Sequence, residues 1–217
     1  MKGKSSQKSA KESISIPIPI EIYEEDMCTG LAKEKKTEIL NLFTNFNNLS
    51  SEEEFNEIKK DLHYACREGN VELIKIYLSE TIESSSGYLK FKIDKTNQTA
   101  SLFRIKKCFD QLIIPRTIKH ESTEYIITSI CGTNENINSL KFSEDSAVKT
   151  VYGKAFLNSN IKEIYFPSSL RELKKDWCYD TYELRKFIIS PSNGQFKFID
   201  DKYLIGKSDA NKDEFDI

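Results

Sequence analysis

Three segments of this sequence repeat one apolar pattern: Ile137-Asn-Ser-Leu140-Lys-Phe142, Ile161-Lys-Glu-Ile164-Tyr-Phe166 and Leu184-Arg-Lys-Phe187-Ile-Ile189. Each copy has apolar residues at its first, fourth and sixth positions. The copies begin at Ile137, Ile161 and Leu184, so the two intervals between them differ by a single residue. A weaker copy comes earlier, where Leu112-Ile-Ile114-Pro115 aligns with Ile164-Tyr-Phe166-Pro167. Apolar side chains at these positions predict short strands that stack on one another.

A second motif lies between these strands. Val148-Lys-Thr-Val151 recurs one period later as Leu170-Arg-Glu-Leu173, and Ile127-Thr-Ser-Ile130 has the same form. After it, Ala155-Phe156 holds the place that Trp177-Cys178 takes one repeat later. A single unit cannot bury its own apolar face, whereas stacked units share one core. The period lies within the roughly 20–29 residues of leucine-rich repeats, so the segment is predicted to be a solenoid.

The sequence before the repeats changes from a helical to a strand period. Apolar residues at helical spacing predict helices over 36–46, from Glu52 to the Gly69-Asn70 break, and over 71–78. Ser50-Ser51 is expected to cap the second helix. From Tyr88 the pattern alternates, and the turn Asp94-Lys-Thr-Asn97 joins two alternating runs. This predicts a β-hairpin over 88–105.

We therefore expect an α+β repeat protein with four regions. Residues 1–30 are predicted to be a disordered tail, 31–83 a helical segment, 84–206 a solenoid with an N-terminal hairpin cap, and 207–217 a polar tail. Within the first tail, Ile16-Pro-Ile-Pro-Ile20 cannot be helical, and it is either a linker or an extended docking segment. No capping element is evident after the last repeat. The chain is therefore either a fragment of a longer array or is capped loosely by its acidic tail.

The solenoid segment resembles the BspA-like (bacterial surface protein A) leucine-rich repeats over roughly residues 88–205. The matching stretches are Ile113-Ile-Pro115, Tyr125-Ile-Ile-Thr-Ser-Ile130, Ala155-Phe156 and Ile164-Tyr-Phe-Pro-Ser-Ser-Leu170. The hairpin at 88–105 looks like the family's N-terminal cap, and 196–206 looks like its interrupting hairpin. The resemblance implies a solenoid that binds proteins or surfaces without enzyme activity. Trp177 and the Lys174-Lys175-Asp176 turn depart from the family pattern.

Residues 60–80 resemble one ankyrin repeat. The stretch Leu62-His-Tyr-Ala-Cys-Arg-Glu-Gly69-Asn-Val-Glu-Leu-Ile-Lys-Ile-Tyr-Leu78 has the family's Leu-His pair, its small residues and its Gly-Asn turn. The Thr-Pro that usually precedes them is replaced by Lys60-Asp61. Because the sequence contains no second full copy, this ankyrin-like hairpin is expected to need other packing partners.

Composition excludes several classes of function. The formal net charge is −2, from 32 basic and 34 acidic residues, and this balance does not predict nucleic acid as a partner. The sequence predicts no signal peptide and no membrane-spanning segment. The five cysteines are widely spaced and are expected to be reduced thiols. A cytoplasmic location is therefore predicted, and the family resemblance adds the cell surface as an alternative.

The sequence offers little for catalysis. His63 and Cys66 share a helix face, yet packing residues of an ankyrin repeat stand at the same spacing. Gly153-Lys154 lacks the upstream glycine of a phosphate-binding loop. Two histidines and scattered cysteines do not predict a metal site. We expect no catalytic residues, no cofactor, no metal and no small-molecule substrate.

The predicted binding surface is the outer face of the repeat strands. Side chains alternate along a strand, so the residues between the buried positions point outward and line up in rows. These residues are Ser139, Lys141, Glu163, Tyr165, Lys186 and Ile188. Exposed tyrosine and isoleucine beside charges are typical of a contact surface, although a merely solvated face has the same pattern. The predicted function is an adaptor that binds other proteins, and the alternatives are a surface adhesion protein or an enzyme that uses Cys66.

Overall fold

The computed structural model describes residues 28, 30–45, 52–133, 137–200 and 203–207. These residues form two compact units, of which one ends at Leu78 and the other begins at Ser79. Of the two predicted tails, only Cys28, Gly30 and Lys207 lie within the described residues.

The first unit is helical. Its described residues form α1 (Lys33–Asn45), α2 (Glu52–Arg67) and α3 (Val71–Leu78). The three predicted helices are thereby confirmed, although α1 begins at Lys33, one turn before the position that the apolar pattern indicates. The predicted Ser50-Ser51 cap lies outside the described residues.

The turn between α2 and α3 is a Schellman motif. Gly69 adopts a φ of +61°, the left-handed region where a side chain causes strain. The Gly69 N–H donates to the Cys66 carbonyl and the Asn70 N–H donates to the Ala65 carbonyl, both at 2.9 Å. Asn70 then caps α3, since its Oδ1 accepts from the Leu73 N–H at 3.1 Å. The Gly-Asn pair thus ends one helix and begins the next.

The second unit consists of strands in three sheets. A seven-stranded sheet has the order β1-β2-β3-β6-β8-β10 with β5 beside β6, a four-stranded sheet has the order β11-β9-β7-β4, and β12 pairs with β13. The strands are β1 (Glu80–Glu83), β2 (Leu89–Asp94), β3 (Thr99–Ile105), β4 (Phe109–Ile114), β5 (Thr117–His120), β6 (Thr123–Ile130), β7 (Ile137–Phe142), β8 (Thr150–Val151), β9 (Glu163–Phe166), β10 (Glu172–Leu173), β11 (Lys186–Ile189), β12 (Phe196–Ile199) and β13 (Tyr203–Gly206).

The four-stranded sheet is parallel and carries the repeat that the sequence predicts. Leu140 lies beside Ile164, and Ile164 beside Phe187, so the predicted alignment of the three copies is the register of the sheet. The weaker copy also takes its place, because Leu112 pairs with Leu140. Each strand marks one turn, and the second unit is a β-solenoid of about four turns.

The second motif forms the parallel part of the seven-stranded sheet. Val151 pairs with Ile130 on one side and with Leu173 on the other, as the sequence alignment predicts. Apolar side chains from both sheets form one continuous core. The first turn, from Leu102 to its partner Ile130, is longer than the later ones, because β5 and the first half of β6 form an antiparallel extension.

The start of the second unit corrects one prediction. Residues 80–83, which the sequence analysis assigns to the helical segment, form β1 and pair antiparallel with β2. The Lys95 ammonium lies 2.6 Å from the Glu80 carboxylate, and the Lys106 ammonium lies 2.7 Å from that of Glu83. The predicted hairpin of β2 and β3 is confirmed, and β1 widens it to three strands.

The turn that departs from the family pattern keeps the shape of its neighbour. Lys154 and Asp176, which stand at equivalent places one repeat apart, both have a φ of +61°, and Asn158 and Asp180 have φ values of 58° and 62°. Left-handed backbone recurs at equivalent places and does not fall on Gly153. Lysine therefore replaces this glycine one repeat later without disturbing the left-handed positions. Three of these four positions hold aspartate or asparagine, which tolerate this region better than most residues.

Burial decreases at the last turn of the solenoid. Val151, Phe156 and Ile164 are fully buried, whereas the equivalent Leu173, Cys178 and Phe187 are only partly buried. Trp177 lies among these last side chains. The hairpin of β12 and β13 follows, and Phe198 contacts Phe187 with ring centroids 6.1 Å apart.

Candidate functional site

The six predicted binding residues lie on one surface, the outer face of the four-stranded sheet. Ser139, Glu163 and Lys186 occupy equivalent positions and form one row across the strands. The second row contains Lys141, Tyr165 and Ile188. The structure thus brings all six together, and their role in binding stays a prediction.

Tyr165 is the centre of this surface. The Lys141 ammonium lies 4.6 Å from the centroid of its ring, and the Lys186 ammonium lies 5.7 Å from it. Both distances are within the range of cation–π attraction. The Tyr165 hydroxyl donates to Glu163 Oε2 at 2.8 Å and accepts from Lys186 Nζ at 3.4 Å. These contacts hold the aromatic ring in one orientation on the sheet.

The charges on this surface are partly paired. Lys186 Nζ lies 3.7 Å from Glu163 Oε1, which supplements its hydrogen bond to the Tyr165 hydroxyl. That hydrogen bond, followed by the nearby Glu163 charge, raises the pKa of Lys186. Lys186 therefore stays cationic at neutral pH. The surface combines two lysines, one carboxylate and an oriented tyrosine.

Ser139 differs from its neighbours in the first row. Its Oγ is shielded from solvent and has no hydrogen-bond partner among the described residues. Ser139 therefore contributes less to the polar surface than the alternation along the strand indicates. Ile188 is half-buried on β11, which is one of the two edge strands of the sheet.

Two outward residues were missed by sequence reasoning. Gln111 pairs with Ser139 and Ile113 pairs with Lys141, so each extends one row onto β4. Ile113 is 54% exposed and is the most exposed apolar side chain on this face. The signal was present, because the weak copy at 112–114 aligns Ile113 with Tyr165.

Cys66 is unsuited to act as a nucleophile. Its side chain is fully buried, and desolvation, with a smaller contribution from Cys28, raises the pKa of the thiol to about 12. The thiolate is the reactive form of cysteine, and it is absent here at neutral pH. His63 is half-buried on the same helix.

We expect Cys66 to resist alkylation in the folded chain. A short treatment with iodoacetamide at mildly alkaline pH should label the exposed Cys108 and leave Cys66 unmodified, as read by peptide mass spectrometry. The same treatment in denaturant is the control and should label both residues. Rapid labelling of Cys66 without denaturant would contradict the buried placement.

The same pKa shift predicts a loss of stability at alkaline pH. The Cys66 pKa is higher in the folded chain than its ordinary 9.0, so folding favours the neutral thiol. Above pH 9 the unfolded chain releases this proton while the folded chain does not. The contribution is therefore complete below pH 9 and is lost as the pH rises toward 12, which urea unfolding at a series of pH values measures.

Metal-binding clusters and membrane-spanning helices were also sought within the described ranges. No group of three or more His, Cys, Asp or Glu side chains in this part of the chain is arranged to hold a metal ion. None of the described helices has the length and hydrophobicity that a membrane span requires.

Sequence comparisons yield no family for this chain. No family model matches the sequence, and no curated protein matches it.

The structural comparisons find distant similarity to two solved structures. The pneumococcal vaccine antigen PcpA is 15% identical with a TM-score of 0.37, and the match covers 54% of this chain and 39% of that one. A leucine-rich cell surface protein from Faecalibacterium prausnitzii A2-165 is 11% identical with a TM-score of 0.27, covering 52% and 44%. This chain thus spans about two fifths of the length of either structure. The solenoid architecture rests on the strand register.

Proposed function

We propose that this chain is a non-enzymatic recognition module of the BspA-like leucine-rich-repeat kind, which binds a protein partner through the outer face of its four-stranded sheet. The observation that carries the proposal is the placement of Tyr165 between Lys141 and Lys186. A tyrosine oriented in this way offers apolar area and a polar tip with little conformational entropy left to lose.

The composition of the face supports a protein partner. Aromatic residues at the centre of a patch and polar residues at its rim are typical of protein–protein interfaces. Tyr165 is central, and the polar Gln111 and Lys186 lie at the two edges of the sheet. Exposed Ile113 adds apolar area at one end. These features fit a binding surface better than a solvated face.

The remaining parts of the proposal follow from the chain's own residues. Buried, protonated Cys66 argues against a thiol enzyme. The five cysteines, which all lie within the described residues, are reduced thiols, and this supports a reducing compartment such as the cytoplasm. For α2 and α3 we propose an ankyrin-like hairpin, and the Schellman turn at Gly69 supports it.

The proposal is tested by comparing two triple variants in a pull-down from cell lysate. The face variant carries Lys141→Glu, Tyr165→Ala and Lys186→Glu. The control variant carries Lys119→Glu, Lys175→Glu and Tyr203→Ala, which make the same chemical changes at exposed residues outside this face. We expect the face variant to lose the partner that the native chain retains, because alanine removes the aromatic anchor and glutamate reverses the charges beside it.

Both variants are first shown to be folded by circular dichroism and thermal unfolding. A partner that the native chain and the control retain, and that the face variant loses by at least roughly tenfold, supports the proposal. Retention by all three proteins would remove this face from the function.

A further inference from the structure

The four-stranded sheet ends in an open edge at β4. Among the described residues, β4 pairs with β7 and with no strand on its other side. Such an edge presents unpaired N–H and C=O groups and is a template for another strand. From Phe109 to Ile114, β4 is the longest edge strand that the structure describes.

The register shows which backbone groups point away from the sheet. The Ile114 carbonyl accepts from the Ser143 N–H at 2.9 Å, so Ile114 faces β7. Backbone groups alternate in direction along a strand, and Leu112 therefore also faces β7. Gln111 and Ile113 direct their N–H and C=O groups outward.

Three other edge strands of the second unit, β1, β5 and β11, carry charges that oppose pairing. Glu80 and Glu83 lie on β1, Lys119 on β5 and Lys186 on β11. Charged side chains on an edge are a common protection against pairing with another chain. At β4 the outward residues are Gln111 and Ile113, and both are uncharged.

The charged residue of β4 is Asp110, and its carboxylate is hydrogen-bonded to the neighbouring strand β7. Asp110 Oδ1 accepts a hydrogen bond from Asn138 Nδ2 on β7 at 3.0 Å. Ile113 meanwhile is 54% exposed, whereas Lys141 and Tyr165 at the equivalent positions are half-buried between neighbouring strands. A strand added beside β4 would place Ile113 between two neighbouring strands as well, and would bury it.

We propose that two copies of this chain associate through β4, which pairs antiparallel with β4 of a second copy across a two-fold axis. The axis passes beside Leu112, so that Gln111 lies opposite Ile113 of the second copy. Each such pair exchanges both of its N–H···O=C bonds. The two four-stranded sheets become one continuous sheet.

A second copy is the occupant that these observations favour. In a two-fold interface each surface meets itself, so a charge at the pairing residues would meet a like charge close by. The uncharged Gln111 and Ile113 raise no such barrier.

Sedimentation velocity over a wide range of concentration tests the proposal. The native chain should show a concentration-dependent dimer. Ile113→Lys places a cation on the edge, and Gln111→Pro removes an outward N–H while it keeps the bonds to β7. Each should weaken the dimer by at least roughly tenfold.

The matched controls are Gln111→Thr, which retains the N–H, and Ile199→Lys, which adds the same charge at an exposed isoleucine on β12. Both should remain dimeric, as should the variant with Lys141→Glu, Tyr165→Ala and Lys186→Glu. That last variant separates this inference from the proposed function. A native chain that is monomeric throughout, or a dimer that persists in Ile113→Lys and Gln111→Pro, would overturn the inference.

Discussion

Replacing Trp177 with alanine should lower the free energy of unfolding of the solenoid by about 3 kcal/mol. The indole contacts three phenylalanine rings edge-to-face, at centroid distances of 6.0 Å for Phe156, 5.5 Å for Phe166 and 5.6 Å for Phe187. These rings belong to successive turns of the solenoid. Alanine removes all three contacts and leaves a cavity where the last turn joins the one before it.

Urea unfolding followed by circular dichroism measures this change, because Trp177 is the only tryptophan and its fluorescence is lost with it. Tyr179→Ala is the control, since Tyr179 is 57% exposed and does not belong to the core cluster. Trp177→Phe should recover most of the lost stability. An alanine variant as stable as the native chain would show that the aromatic cluster does not hold the last turn.

Replacing Asn193 with alanine should lower the free energy of unfolding by about 2–3 kcal/mol, because buried backbone groups lose their partners. The Asn193 Nδ2 donates to the Pro167 carbonyl at 2.9 Å and to the Leu170 carbonyl at 3.1 Å. Its Oδ1 accepts from the N–H groups of Gln195 and Phe196, both at 2.8 Å. One side chain thus joins the turn after β9 to the turn before β12.

Trp177 fluorescence during urea unfolding reports this loss, since the ring lies in the same part of the solenoid. Ser192→Ala is the matched control, because Ser192 is the exposed neighbour and its hydroxyl bonds to the Ser190 hydroxyl at 3.0 Å, away from the buried carbonyls. We expect the control to change stability by less than about 0.5 kcal/mol. Equal effects of both substitutions would mean that the Asn193 amide has no special role.

The repeat register could be predicted from sequence because burial enforces it. A slip of one residue in β9 would turn Ile164 outward and Tyr165 inward, so the apolar positions must align between turns. The same reasoning places Lys141, Tyr165 and Ile188 in one row from the sequence alone. The end of α2 and the start of α3 could also be predicted, because Gly69 and Asn70 determine them through local backbone conformation and capping.

Features that depend on distant partners could not be predicted. Strand β1 contains two glutamates and shows no strand pattern of its own, and it becomes a strand because β2 offers a ladder and Lys95 and Lys106 pair its charges. Left-handed backbone at Lys154 escaped prediction because glycine, the residue best suited to that region, stands beside it at Gly153. Ile113 was missed because its copy of the repeat is the weakest of the four.

The recurring turn at Lys154 and Asp176 has a consequence for how such a chain can change length. The backbone path repeats from one turn to the next, and each turn has as its neighbours the turns just before and after it. A tandem duplication of one whole turn would therefore reproduce the junction at both ends without altering the rest. Each duplication would lengthen the outer face by one strand spacing, about 4.8 Å, and add one side chain to each row. Selection on binding can thus act on the number of turns as well as on their residues.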